Sequence, residues 1–367
     1  MRTTFISITL AGAATTITAL GMLHASTPAH AYNLNNARSG SSTTMYLDPA
    51  VQGAMPSHYT ALHNAAAKLN ANPSNMRFSL VNDNDAVVAN NNGESEVAFT
   101  SNNTKLCGSL ACAWSWSSGG TLVESDVYFD IDYDWTTTDA KADSVAYTGS
   151  GYRPLLNTAL HEFSHALGLG HEGDVFNVLG NAWNVVSTNG ASTESVISED
   201  VSNGLIAHYG QRPSVNEDLS LYHWEWSANI NGYSRHARTP ITGPSGAALS
   251  SAPESNPSLN EPAYYVSSGQ TLEVTQTAEN RGTTQLVTIK WYLSTNSTIT
   301  TSDTVLATSA LNKGRNGPFT WTRSLSLPGG LVAGTRYWVG AIIDSEGVLA
   351  EQNEINNAMY VAEVVIQ

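Results

Sequence analysis

Three histidines and a glutamate lie within the stretch His161 to His171, in the pattern H-E-x-x-H-x-x-G-x-x-H. Residues four apart share one face of an α-helix, so His161 and His165 would project together and could bind one metal ion. Glu162 would reach a water on that metal without being a ligand. Gly168 can take the left-handed conformation that ends a helix, which lets His171 return as a third nitrogen ligand. Three protein ligands with one open position are typical of a catalytic zinc site, whereas a structural site is usually closed by four ligands.

The same stretch resembles the metzincin metallopeptidases, and Phe163 with residues 166–169 is most similar to their matrixin branch. The resemblance implies that His161, His165 and His171 bind zinc and that Glu162 is the general base. It also implies a secreted zinc metalloendopeptidase (EC 3.4.24.-) that hydrolyses protein or peptide substrates.

Metzincins carry a methionine in a turn after the third histidine, and in matrixins it lies eight residues beyond that histidine. This chain has Leu179 at the corresponding position. The methionine packs beneath the site and is not a ligand, and a leucine of similar volume usually costs under about 1.5 kcal/mol. We therefore expect the site to persist.

Two other functions are compatible with these residues. Leu179 favours a secreted adhesion or binding protein whose zinc domain is degenerate, whereas the complete histidine set and Glu162 argue against it. A zinc hydrolase acting on a non-peptide bond is the other alternative, because one site type can serve several reactions.

Length and charge limit the organisation and the partners. A chain of 367 residues is too long for one ordinary core and indicates two domains. The formal net charge is −15, with only 16 Lys and Arg residues, which argues against a nucleic acid as partner.

The N-terminus predicts export. Arg2 precedes an apolar, Thr-containing run, and an A-x-A site ends at Ala31, so a signal peptide at 1–31 would leave Tyr32 as the first residue. A membrane anchor is the alternative, but the run is short and ends in a cleavage-like sequence. We expect the mature chain to be extracellular, bacterial and free of the membrane. Cys107 and Cys112 are close enough in an exported protein to predict a disulfide that closes a small loop.

Periodic patterns place the motif among helices and strands. They predict helices at 56–70, 154–168 and from Ser198 to about Tyr209, and strands at 76–81, 95–100 and 122–132. Acidic residues within and just after the last of these strands are close enough in sequence to suggest a calcium site, and an acidic strand end on an acidic protein is the alternative. These residues are Asp126, Asp130, Asp132 and Asp134.

The loop after His171 carries Trp183. In matrixins this segment shapes the pocket for the substrate side chain that follows the cut bond, so Trp183 is a candidate wall, although an aromatic residue in a loop often serves only packing. The helix with Glu199, Asp200 and Val201 resembles the last helix of matrixin catalytic domains. The resemblance covers roughly residues 45–211.

Residues 212–262 are rich in Pro, Ser, Ala, Asn and Gly, a composition that indicates an extended linker, with a possible strand from Leu219 to Trp226. Residues 263–367 alternate apolar and polar residues between turns, which predicts a β-sandwich. The closing E-x-N-E-x-N-N at 351–357 resembles the bacterial cell-adhesion-related (CARDB) domain. That likeness implies an immunoglobulin-like module that binds a cell-surface or matrix ligand.

The sequence thus predicts an α+β protein, with a metzincin-like zincin catalytic domain followed by an immunoglobulin-like all-β sandwich. The predicted divisions are a signal peptide at 1–31, a matrixin-like domain at 32–211, a linker at 212–262 and a CARDB-like domain at 263–367. The predicted cofactor is one catalytic Zn²⁺, with Ca²⁺ as a further possibility.

Overall fold

The computed structural model describes residues 32–85, 88–149, 151–180, 183–214, 217–283 and 285–367. The predicted signal peptide at 1–31 lies outside these ranges. Within them, no helix combines the length and the apolar composition that crossing a bilayer requires.

The N-terminal region is built on a five-stranded sheet in the order β2-β1-β3-β5-β4. The strands β2, β1, β3 and β5 run parallel to one another. The strand β4 pairs antiparallel with β5 and forms the edge of the sheet. Two short pairs, β6 with β7 and β8 with β9, lie outside it. The strands are β1 (Ser42–Leu47), β2 (Arg77–Asn82), β3 (Glu96–Thr100), β4 (Ala111–Ser118), β5 (Thr121–Asp130), β6 (Trp135–Thr136), β7 (Arg153–Pro154), β8 (Val186–Asn189) and β9 (Ser192–Ser195).

Two helices pack on this sheet through apolar faces at helical spacing. One contributes Leu62 and Leu69 to the core, and the other contributes Leu160 and Phe163, all of them fully buried. The first matches the predicted helix at 56–70, and the second lies inside the predicted 154–168. The helices are α1 (Pro49–Ala54), α2 (Pro56–Asn70), α3 (Val145–Thr148), α4 (Leu155–Ala166) and α5 (Glu199–Tyr209), with a short 3₁₀ turn at Lys141–Asp143.

The C-terminal region has two sheets that share one apolar core. The larger has the order β14-β20-β19-β16-β17, and in the smaller β10, β13 and β18 all pair with β15. The mixed α/β content and this strand-rich region agree with the predicted order, in which a domain of helices and strands is followed by a strand-rich domain. The strands are β10 (Leu219–Tyr222), β11 (Trp224–Ile230), β12 (Tyr233–Arg238), β13 (Ile241–Thr242), β14 (Ala263–Val266), β15 (Thr271–Asn280), β16 (Gln285–Ser294), β17 (Thr304–Lys313), β18 (Phe319–Ser326), β19 (Arg336–Ile343) and β20 (Ala358–Ile366), with 3₁₀ turns at Pro244–Gly246 and Ile355–Asn357.

The segment 212–262, predicted as an extended linker, holds β10, β11, β12 and β13. Two of these strands, β10 and β13, complete the smaller sheet of the C-terminal region, while β11 and β12 form a separate hairpin. Its Pro-, Ser- and Gly-rich stretches are turns between short strands. The composition of this segment did not predict the four strands, because composition averages over elements that are only a few residues long.

A buried ion-pair network joins α5 to the C-terminal region. Glu199 is fully buried and accepts from Lys313 Nζ at 2.7 Å, while its backbone N–H donates to Glu279 at 3.0 Å. Arg281 lies alongside, 2.8 Å from Asp218 and 3.3 Å from Glu279. Removing one partner of such a buried pair typically costs about 3–5 kcal/mol, so this interface ties the two regions together.

A second buried contact passes through His223, which lies between β10 and β11. Its Nε2 is 2.9 Å from the Tyr147 hydroxyl in α3, and its Nδ1 is 2.9 Å from the Tyr360 carbonyl in β20. Burial lowers the pKa of His223 well below its ordinary value. A neutral imidazole therefore bridges the two regions.

The E-x-N-E-x-N-N stretch at 351–357 also lies at this interface. Glu351 accepts from the Leu219 backbone N–H at 2.5 Å, and Asn353 donates to Glu194 of β9 at 2.6 Å. The motif therefore connects the C-terminal region both to β10 and to the N-terminal region.

Candidate metal centre and active-site cleft

The three histidines of the motif converge on one point. Helix α4 projects His161 and His165 from one face, and the chain after the helix returns His171 to them. The Nε2 atom of His165 lies 3.0 Å from that of His161 and 3.0 Å from that of His171. Two nitrogens bound at about 2.0–2.1 Å to one tetrahedral zinc ion would be roughly 3.3 Å apart, so the spacing fits a shared metal ion.

Backbone carbonyls orient the first two rings. The Nδ1 atom of His161 lies 2.7 Å from the Val178 carbonyl, and that of His165 lies 2.7 Å from the Leu169 carbonyl. Because a carbonyl only accepts, each Nδ1 carries the proton and each Nε2 presents a lone pair. Lone pairs 3.0 Å apart repel each other unless a cation lies between them, and this donor set therefore fits a metal ion.

Burial keeps the three rings neutral. It lowers the pKa of His161 well below the ordinary value, and it lowers that of His165 to about 4 and that of His171 in the same direction. The neighbouring imidazoles add to the effect at His161 and His165. Neutral imidazole is the form that binds metals, so the site is prepared for an ion without first losing protons.

The turn that returns His171 depends on Gly168 and on the N-terminal segment. Gly168 has φ +90°, and a Cβ there would lie 2.5 Å from the Asn36 carbonyl. Asn33 Nδ2 donates to the His171 carbonyl at 2.5 Å, and the Asn35 N–H donates to the Gly168 carbonyl at 2.8 Å. Residues 33–36 therefore hold the third histidine in place, a role that no motif in the sequence indicates.

Glu162 lies beside the triad and faces β4. It is only 6% exposed, and burial raises its pKa to about 8, although a hydrogen bond from the Ala113 backbone N–H opposes the shift. A carboxyl group with a pKa near neutrality can both take up and return a proton. Its partner Ala113 belongs to the edge strand of the sheet, so the Glu162 carboxyl group lies next to a strand edge.

The comparisons with known proteins agree with this geometry. A family model described as Matrixin matches residues 49–210, which hold the sheet, α4 and the triad. Residues 49–210 therefore form a matrixin-like domain, called the matrixin domain below. Matrixins are zinc-dependent metallopeptidases, and the triad His161, His165 and His171 of this matrixin domain is able to bind a metal. A search of curated proteins found no match to the chain.

Two solved structures similar to the chain are both CARDB domains from Pyrococcus furiosus, the kind of domain that the C-terminal motifs resemble. One is a crystal structure in complex with di-metal ions, with 16% identity and a TM-score of 0.24, covering 41% of this chain and 90% of its own. The other is a solution NMR structure with 16% identity and a TM-score of 0.22, covering 41% of this chain and 98% of its own.

The matrixin domain opens into a cleft of about 810 Å³ at the triad. Its floor is formed by the histidines and Glu162, and one wall by the start of β4. Trp183, the candidate wall of a substrate pocket, lines the cleft, with the Arg153 guanidinium 4.3 Å from its ring centre. Another wall is the tip of the β11–β12 hairpin, residues 230–231 and 233–235, which lies outside the matrixin domain.

Leu179 is fully buried in the same core as Leu160 and Phe163 of α4. The residue before it, Val178, supplies the carbonyl that orients His161. The position of the usual methionine is thus filled by an apolar side chain directly after a residue that positions a candidate ligand. This arrangement agrees with a packing role.

The calcium site suggested at the β5 aspartates has no support in the structure. Among the described residues, the groups of three potential ligands that lie within 4.8 Å of one another are the histidine triad and Asp83, Glu94 and Glu96. Asp126 is buried and accepts from the Glu96 N–H at 3.0 Å, while Asp130 accepts from the N–H two residues on at 2.9 Å. These carboxylates serve backbone hydrogen bonds within the matrixin domain. The predicted disulfide, by contrast, is present and joins Cys107 to Cys112 at the cleft.

Proposed function

We propose that this protein is an exported zinc-dependent endopeptidase. In this proposal His161, His165 and His171 hold the metal, and Glu162 is the general base. The observation that carries it is the convergence of three Nε2 atoms, with neighbours 3.0 Å apart, beside a buried carboxyl group. A protein with a purely structural zinc site would have closed the fourth position with another side chain.

Zinc at this centre would lower the pKa of a bound water and polarise the peptide carbonyl. Glu162 would accept the proton as the water attacks the carbonyl carbon, and would deliver it to the leaving amine. Burial of Glu162 beside the triad supports this role, because it raises the pKa of the carboxyl group to about 8 and so moves it towards neutrality. The Ala113 N–H holds the carboxyl group in position.

The cleft supports an extended peptide as the substrate. β4 is the edge strand of the sheet, and residues 111–113 line the cleft next to Glu162. An edge strand offers unpaired backbone groups, with which an extended chain can pair as an additional strand. Backbone pairing of this kind favours proteins and peptides over small molecules.

Export and the C-terminal region complete the proposal. The N-terminal sequence supports cleavage after Ala31, and a disulfide is stable mainly in oxidising compartments. N-terminal sequencing of the secreted chain would give Tyr32 first, whereas an intact Met1 would contradict the cleavage.

The C-terminal region would be an immunoglobulin-like accessory module for a cell-surface or matrix ligand. Calcium at the β5 aspartates is not part of the proposal.

Leu179 supports one alternative, an adhesion or binding protein whose zinc domain is degenerate. The two functions differ in a direct assay. The proposal expects cleavage of casein or gelatin that a chelator abolishes and that added zinc restores. Zinc binding without chelator-sensitive cleavage of any protein would favour the adhesion protein.

The decisive variant is Glu162→Gln. Gln keeps the shape of the side chain but cannot take up the proton, so kcat/KM should fall by about 100- to 10,000-fold while one zinc ion per chain is retained. Glu346→Gln is the matched control, because this side chain is 47% exposed and lies in the C-terminal region. Near-normal activity of Glu162→Gln would show that the base is a different group.

A further inference from the structure

The two faces of the strand β12 have different surroundings. Ser234 and His236 point towards the matrixin domain, where the Ser234 N–H donates to the Glu172 carbonyl at 3.2 Å. Tyr233 and Arg235, on the alternate positions, are exposed and line the cleft. Because successive side chains of a strand point to opposite faces, anchoring one face presents the other to the cleft.

The hairpin is fixed to the segment that follows the third histidine. Asn231 and Gly232, with φ of 54° and 89°, form the tight turn at its tip. Trp226 Nε1 donates to the Gly173 carbonyl at 2.7 Å. A turn of this type and anchors at both strands make the hairpin a fixed wall of the cleft.

The cleft-facing surface is partly apolar. Ile230 and Tyr233 are 45% and 43% exposed, and both line the cleft beside the histidine triad. The Tyr233 ring lies 4.2 Å, centre to centre, from the ring of His171. An apolar side chain bound here would therefore lie next to the metal centre.

The cleft is also positive, on a protein whose formal net charge is −15. Among the described residues that line it, the charged side chains are Arg153, Arg235 and the buried Glu162. Arg153 donates to the Tyr133 hydroxyl at 2.7 Å and stacks on Trp183. The guanidinium of Arg235, within the described part of the chain, makes no ion pair, and it is exposed towards the cleft.

We propose that this face of the hairpin selects the substrate. Ile230 and Tyr233 would contact an apolar side chain of an extended peptide, and Arg235 would pair with an acidic side chain close to it in the sequence. The preferred substrates are then proteins with an apolar residue next to Asp or Glu. The inference rests on the proposed peptidase function and adds the substrate class.

Matched fluorogenic peptides that differ only in Glu, Gln or Lys beside one apolar residue test the inference on the full mature chain. The wild type should cleave the Glu peptide with a kcat/KM roughly 2- to 5-fold above the Gln peptide, as expected for one exposed ion pair. Arg235→Gln should equalise the two, and Arg235→Glu should make the Lys peptide the better substrate. Arg323→Gln, which replaces an arginine of β18 outside the cleft, should keep the wild-type order.

Binding gives a readout that does not require turnover. In the Glu162→Gln background, fluorescence anisotropy should show tighter binding of the Glu peptide, and the added Arg235→Gln change should remove the difference. Ile230→Ser should raise KM several-fold with kcat unchanged. Zinc content, measured in each variant, should stay at one ion per chain.

The outcomes separate the two proposals. Cleavage with equal preference for Glu and Gln in both the wild type and Arg235→Gln would overturn the role of the hairpin and leave the peptidase function intact. Absence of chelator-sensitive cleavage, together with no peptide binding to the Glu162→Gln variant, would overturn both. Loss of zinc in Arg235→Gln would show that the hairpin supports the metal centre and does not select substrates.

Discussion

The helix α4 with its return loop and the β11–β12 hairpin line the same cleft, but the sequence encodes them in different ways. The three candidate metal-binding histidines and Glu162 occupy one short stretch, 161–171, whose spacing alone brings them together on a helix and a turn. The hairpin reaches the same cleft from 224–238, beyond the last helix of the matrixin domain. The groups proposed to carry out the reaction therefore lie close together in the sequence, whereas the hairpin proposed to select the substrate comes from a distant segment.

Different physical constraints explain this contrast. Helical geometry fixes the distance between His161 and His165, so residue types at that spacing are strong evidence for a shared ion. The hairpin has a local signal as well, since Asn231-Gly232 is typical of a two-residue turn. Its location against Gly173 and Gly180 depends on tertiary contacts that no local pattern records.

The largest effect should come from a candidate ligand. His165→Ala removes the nitrogen that lies 3.0 Å from both other Nε2 atoms, so zinc should be lost and kcat/KM should fall roughly 1,000-fold or more. Because bound metal stabilises the native state, a chelator should lower the melting temperature of the wild type and leave that of the variant unchanged. Calorimetry and metal analysis measure both.

His58→Ala is a control for that variant, since His58 lies in α2 and outside the residues that line the cleft. It should retain zinc and activity. One zinc ion per chain in His165→Ala, with the wild-type response to a chelator, would contradict the ligand assignment and remove the contrast between the two parts of the cleft.

A smaller effect should follow from Gly180→Ala, which acts on the hairpin. A Cβ at Gly180 would lie 2.7 Å from the Ser234 backbone nitrogen and would also meet the Ser234 hydroxyl, so the hairpin has to move. We expect a loss of about 1–3 kcal/mol in the free energy of unfolding, with zinc retained and peptide selectivity reduced. Denaturant unfolding and the matched peptides measure these changes.

Gly53→Ala is the matched control, because a Cβ there meets nothing within 4 Å and the residue lies in α1. That change should be neutral or stabilise the protein by up to about 1 kcal/mol. Equal stability and unchanged selectivity in Gly180→Ala would mean that the close contact with Ser234 is not required for the wall.

The elements around the motif could be predicted because their patterns are long and regular. Helix α2 has the predicted limits, Pro56–Asn70, and α4 and α5 lie within two residues of theirs. The strands β2, β3 and β5 also begin and end within two residues of their predicted limits. The disulfide followed from two cysteines in a short loop.

The parts that could not be predicted depend on pairing between distant segments. β1 is a central strand of the sheet and β4 its edge, yet neither has an apolar pattern long enough to recognise. The segment 33–36 looks like a polar leader, but the Asn33 side chain and the backbone of Asn33 and Asn35 hold the loop that carries His171. In 212–262 the strands are short, and the residues of the turns between them dominate the sequence pattern.

The smallest effect should come from Leu179→Met, which restores the residue that is usual in metzincins. Leu179 is fully buried in the apolar core, and the exchange keeps the side-chain volume, so stability should change by less than about 1.5 kcal/mol. Zinc content should be unchanged and kcat/KM should stay within a few-fold, because His161 is oriented by the backbone carbonyl of Val178 and not by the side chain after it. A gain of a hundred-fold or more would show that Leu179 had impaired the centre, and would favour the degenerate domain over the peptidase. Leu160→Met, in the same core, separates a specific effect at position 179 from a general response to methionine.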